Sequence, residues 1–143
     1  MRTVAVLSAA LAVVVGTACG GGGGGTTKEA WRKEHGRLVA AFGRDIDAAG
    51  TALDQGERST TIGACTQLSE DAKEVRKEAL PVPDPASDAA LRRAVDTAAK
   101  AAASCLQGAR SGQGADAVEA AQREIADARR AIDEADAALA AWK

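Results

Sequence analysis

Eight residues near the end of the chain recur three or four apart without a break: Val118, Ala121, Ile125, Ala128, Ile132, Ala135, Leu139 and Trp142. An α-helix, at 3.6 residues per turn, gathers such a set on one face, whereas a strand would send alternate residues to opposite sides. Three earlier segments carry the same spacing. The first holds Trp31, Leu38, Phe42, Ile46, Ala49 and Leu53, and Gly56 marks its stop. Its opening, Thr26-Thr27-Lys28-Glu29, reads as a capping box in which Thr26 caps and Glu29 reaches back. The second holds Ile62, Cys65, Leu68, Ala72, Val75 and Ala79, and is ended by the proline-rich turn Pro81 to Pro85. The third begins with Asp84 as N-cap and Pro85 at the first helical position. It carries Leu91, Val95, Ala98, Ala102 and Cys105, and its expected end is Gly108.

Composition narrows the class further. Alanine, the best helix former, fills 36 positions, against one Phe, two Trp and no Tyr. The fold class is therefore all-α, with helices expected at about 28–55, 58–80, 85–107 and 114–142. Short connections between four amphipathic helices predict an up-down-up-down four-helix bundle over residues 28–143. Alanine-rich seams bring helix axes together and leave little interior volume. The outer faces of the fourth helix are expected to carry the i,i+4 pairs Glu119/Arg123, Arg129/Asp133 and Arg130/Glu134.

Residues 1–18 follow a different logic. Arg2 precedes a mostly apolar run from Val4 to Val15 and then small residues, the layout of a secretory signal peptide. The run is too short to span a bilayer, which needs ~20 residues. Thr17, Ala18 and Cys19 resemble the end of the lipobox of bacterial lipoproteins, with Gly16 where that motif usually has an aliphatic residue. The resemblance implies cleavage before Cys19 and acyl chains, palmitate among them, on its thiol. Gly20 to Gly25 then form part of a 19–27 tether with roughly 15 Å of reach. Ordinary cleavage after Ala18, giving a secreted protein, is the alternative, because Gly16-Thr17-Ala18 also fits the small-x-small rule. Residues 1–25 resemble the start of small helical cell-envelope lipoproteins of high-GC Gram-positive (actinobacterial) type; beyond them the resemblance rests on composition, the Cys65 and Cys105 pair and the Pro81 to Pro85 turn.

Export bears on the cysteines. Without Cys19, Cys65 and Cys105 remain as an even pair in an oxidising compartment. Residue 85 lies midway between them, so an antiparallel hairpin turning there sets them opposite each other, which predicts a disulfide. Two buried free thiols are the other reading.

The inventory for chemistry is thin. His35 is the sole histidine, and the chain has no Glu-x-x-His, Gly-x-Ser-x-Gly, P-loop or Cys-x-x-Cys-His motif. The six glycines lack the Lys-Ser/Thr and preceding strand of a phosphate loop. No catalytic residue, metal or cofactor is expected, and the protein is not expected to be an enzyme. With 18 basic and 20 acidic side chains, a net charge of −2 gives no field for nucleic acid.

Two features remain. Trp31, His35 and Trp142 should meet at the end of the bundle beside the tether, as a ligand or partner site, as a lip facing the membrane interface where Trp is favoured, or as a layer closing the core. Gly36, Gly43 and Gly50 recur every seven residues beside the first apolar stripe, for close approach of a neighbouring or partner helix. The expected function is a lipid-anchored, non-catalytic interaction module on the extracytoplasmic face of the cell membrane, contacting another envelope protein. The alternative is a binder or sensor of a small apolar or cell-wall-derived ligand near Trp31 and Trp142, which needs a cavity of ~300 Å³ or more.

Overall fold

The computed structural model describes residues 26–112 and 114–143. Residues 1–25, with the expected signal peptide, Cys19 and most of the tether, lie outside the described residues. Four helices follow in order: α1 (Lys28–Gln55), α2 (Arg58–Glu78), α3 (Pro85–Ser111) and α4 (Ala115–Ala141). Each packs on its sequence neighbours, and α4 closes the ring against α1. The architecture is the all-α, up-down-up-down bundle that the periodicity predicts. Contact is most extensive between α3, which buries Ala94, Ala98, Ala101 and Ala102, and α4, which buries Ala121, Ala128 and Ala135.

The helix ends show where local chemistry differs from the expectation. Thr27, not Thr26, caps α1, its hydroxyl accepting from the Ala30 N–H at 3.2 Å. Alanine then occupies the third helical position, so no reciprocal box with Glu29 forms. Helix α2 stops at Glu78 and not Leu80, because Pro81 disfavours helical backbone at the residue before it. Its N-cap is Glu57, whose carboxylate accepts from Ser59 and Thr60. Bonds from the Thr60 and Ser59 hydroxyls, then their N–H groups, pull the Glu57 carboxyl down to about 2. Helix α3 runs through Gly108 to Ser111 and ends at Gly112, whose φ of 63° places it in the left-handed region that glycine adopts freely. The Arg58 guanidinium donates to the Arg110 carbonyl in that last turn, and the Ser111 hydroxyl to Gln107.

The core follows the four stripes with local shifts. Phe42, Ile46, Leu68, Leu91, Ile125, Val75 and Val95 are its largest fully enclosed apolar residues. Val39 is buried in α1 where the spacing points to Leu38, and Leu38 is only partly covered. Thr61 replaces Ile62 at the start of α2, where its hydroxyl donates to the carbonyls of Ala52 and Glu57. Val118 is 36% exposed, because Gly56, Gly108 and Gly112 around it have no side chains to cover it. Cys65 and Cys105 are bonded to each other, with Cα atoms 6.2 Å apart, and neither is exposed.

Surface pairing is partly as expected. Arg123 bonds Glu119 one turn away. Arg129 instead reaches Asp47 on α1, Arg130 pairs with Asp127, and Glu134 pairs with Arg93 on α3. Cross-helix partners therefore displace two of the three local pairs.

Candidate functional site

Antiparallel packing brings the start of α1, the end of α4 and the Pro81–Pro85 turn to one end of the bundle. Trp31, His35 and Trp142 meet there, with ring centroids 5.3 Å apart for Trp31–His35 and 6.2 Å for the edge-on Trp31–Trp142 pair. Trp31 is 3% exposed, and its indole N–H donates to the Ala79 carbonyl at 3.3 Å. It closes the core and ties α1 to the end of α2. His35 Nε2 lies 3.7 Å from the Glu34 carboxylate, and Trp142 is half-buried above the pair.

This end is fastened by cations that the apolar periodicity does not single out. Helix α4 has no basic residue in its last turn, where free carbonyls and the helix dipole favour positive charge. Helix α1 supplies it. Lys28 donates to the carbonyls of Ala140 and Trp142, and Arg32 to Leu139. The legible signal is an uncapped α4 terminus facing the Lys28–Arg32 turn of α1. On the turn, Asp84 accepts from the Ser87 N–H and hydroxyl, Ser87 first holding its carboxyl below the usual range. Asp88 receives the Val82 N–H and pairs with Arg92.

Two concavities flank the tryptophans. One of about 310 Å³ lies between α1 and α4 beside Arg32, Gly36, Val39 and Asp136. Burial, then the Asp133 charge, raises the Asp136 carboxyl against the pull of Arg32. The other, about 450 Å³, lies between the proline turn and α4, bordered by Pro83, Pro85, Ala86, Ala141 and Trp142. Both are open to solvent. A further depression of about 240 Å³ sits at the opposite end, among Leu53, Thr61, Val118 and Ala121, far from the tryptophans.

The glycine stripe faces α4 unevenly. A methyl group at Gly36 would meet nothing within 4 Å, and at Gly43 only Ile132 at 3.8 Å. At Gly50 it would collide with the Arg129 guanidinium and lie 3.2 Å from Ile125. Gly36→Ala and Gly43→Ala are expected to stabilise the fold by about 0.5–1 kcal/mol each through helix propensity. Gly50→Ala should gain nothing, since Arg129 must leave its bonds to Asp47. Urea titration of the three variants checks this ordering; a gain at Gly50 equal to that at Gly36 contradicts it.

Between α1 and α2, Asp45 shares a hydrogen bond with Asp71, which is 8% exposed and also accepts from Gln67 at 2.8 Å. That bond, then burial and the Asp71 charge, pushes Asp45 up to about 6 despite Arg44. Both aspartates adjoin stripe residues, Ile46 and Ala72, which is the signal the sequence carries. A carboxyl raised on folding stabilises fully below its unfolded value near 4, and this stability is lost as pH rises through about 6. Asp45→Asn keeps a neutral donor for Asp71, so it should be more stable than wild type by about 1 kcal/mol at pH 7.5, after solvent screening. The two should be equal near pH 4. Denaturation midpoints at the two pH values decide it, and a pH-independent difference rules the shared proton out.

Among the described residues, no group of three or more His, Cys, Asp or Glu side chains is placed to hold a metal ion. No described helix is long and apolar enough to cross a membrane. Comparison with protein-family models, curated proteins and solved structures yields no match.

Proposed function

We propose that this chain is a membrane-anchored lipoprotein whose helical body is a non-catalytic interaction module at the cell envelope. The observation that carries the reading is Cys19, placed directly after an apolar run and two small residues and before six glycines. Acyl chains on that thiol hold the protein to the extracytoplasmic face of the membrane. The body suits binding more than chemistry: its interior is filled mainly by aliphatic side chains, with Phe42, Trp31 and a disulfide. Its helix faces carry interleaved charges for contact with another envelope protein.

The ligand-binding alternative has less support. Trp31 is engaged by the core, and the hollows beside the tryptophans are open grooves and not enclosed spaces between helices. A rise in melting temperature with a cell-wall fragment or small apolar compound would favour it.

Metabolic labelling with a clickable fatty acid tests the anchor. Wild-type protein is expected to take up label and sediment with membranes. Cys19→Ser should lose the label and appear in the soluble or secreted fraction. An unlabelled wild type defeats the reading. In-cell crosslinking from the helix faces then identifies the protein partner.

A further inference from the structure

The two ends of the bundle differ, and only one lies near the chain's attachment point. Seven residues, Gly20–Thr26, separate Cys19 from the Thr27 cap. Even fully extended they reach no more than about 25 Å. Helix α1, with 28 residues, carries the far end a further ~42 Å away. The short link therefore favours contact at the end that bears the Pro81–Pro85 turn and Trp142.

The surface of that end is built mainly of proline, alanine and tryptophan, with Asp84 and Lys143 at its border. Pro81, Pro83, Pro85, Ala86 and Ala141 are exposed, and Trp142 is half-exposed beside them. Of the charges there, Asp84 accepts from Ser87 and Lys28 donates to the carbonyls of Ala140 and Trp142, while Lys143 beside Trp142 is exposed, a cation suited to phospholipid phosphates. The two indoles also differ. Trp31 donates its N–H to Ala79, whereas that of Trp142 meets no acceptor among the described residues. An indole with an apolar body, a free donor and partial exposure is the side chain favoured at the boundary of headgroups and acyl chains. The far end offers Val118 as its exposed large apolar residue, in a depression that Arg58 borders.

We infer that the end face formed by the Pro81–Pro85 turn and the last turn of α4 rests on the phospholipid surface, with the Trp142 indole at headgroup depth. The inference rests on the anchoring of Cys19 proposed above. Contact orients the bundle upright, with the far end and the helix faces directed away from the lipid toward a protein partner. Lys28 and Arg32 are positioning residues here, since they hold the terminal turn that carries Trp142.

The test uses the full chain purified from the membranes of producing cells. Intact mass first establishes whether Cys19 is acylated. The protein is then reconstituted into phosphatidylcholine–phosphatidylglycerol vesicles, with or without bromine on the acyl chains, and tryptophan emission is read. Brominated lipid is expected to quench by roughly a third, since one of the two indoles is within reach. Trp142→Phe should abolish that quenching. Ala86→Glu with Ala141→Glu should do the same while leaving circular dichroism and melting temperature unchanged, because both sites are exposed. An unacylated chain overturns the anchorage and this contact with it. An acylated chain that is not quenched, or whose Trp142 stays as open to acrylamide as in Cys19→Ser protein free of vesicles, overturns the contact alone. The face would then be free for a ligand or a protein.

Discussion

Phe42→Ala is expected to lower the unfolding free energy by about 3–5 kcal/mol, the range for deleting a fully enclosed aromatic ring. Phe42 is the only phenylalanine in the chain and has no exposed surface. It sits near the middle of α1 with Val39 and Ile46 on either side along the same face. The cost depends on how far neighbours collapse into the space left behind. Nearly half of the buried apolar core is alanine, whose single methyl group has no rotamer with which to refill a void. Helix backbones would have to move instead, and the bridge between α2 and α3 resists that. The value should therefore fall toward the upper part of the range. Guanidinium titration and a melting temperature lower by roughly 10 °C or more are the measurements. A loss near 1 kcal/mol would mean that the alanine core is far more deformable than its packing implies.

Removing the Cys65–Cys105 bridge has the second large effect, by a different route. The bond closes a separation of 40 residues. Releasing such a loop in the unfolded chain costs the folded state about 4 kcal/mol on the chain-entropy model. Cys65→Ala with Cys105→Ala also leaves small voids at two positions with no exposure, so the double variant should lose slightly more than reduced wild type. Because the bridge acts mainly on the unfolded ensemble, the denaturant dependence should steepen when it is absent. Native protein should resist mild reductant, since neither sulfur is accessible. Intact mass with and without reductant confirms the bond; two alkylatable thiols in unreduced protein would contradict it.

Both expectations trace back to features visible in the order of the residues. The three-and-four spacing of Leu91, Val95, Ala98, Ala102 and Cys105 assigns all five to the interior, and all five are buried. A helical repeat leaves no freedom once a face is apolar, so helix number, order and general facing are readable from the chain. Proline is equally decisive. Pro81 and Pro85 end α2 and start α3 within two residues of the expected positions. The cysteine pair follows from the same hairpin geometry.

The differences arise where a neighbouring helix decides between adjacent residues. Leu38 and Val39 lie about 100° apart around α1, and only the position of the other helices selects Val39 for burial. At the start of α2, proximity to the last turn of α1 gives the Thr61 hydroxyl a carbonyl to bond, so Thr61 turns inward and Ile62 outward. Arg129 has an acidic residue one turn ahead of it in sequence, but Asp47 across the α1–α4 seam lies closer. Gly108 resembles a stop, yet α3 gains another turn because Arg58 and Ser111 satisfy its last carbonyls and Gly112 takes the left-handed conformation. The pairing of the Asp45 and Asp71 carboxyls and the capping of α4 by Lys28 and Arg32 likewise arise only between helices.

By itself the sequence determined four rods, their apolar faces, their turns and the cysteines able to meet, because periodicity and proline act within a few residues of backbone. Only the tertiary structure decided which of two adjacent side chains is enclosed, which charges pair, and that Trp31 closes the core while Trp142 keeps a free face. Those outcomes depend on distances between helices, and such distances are set by packing the whole bundle at once.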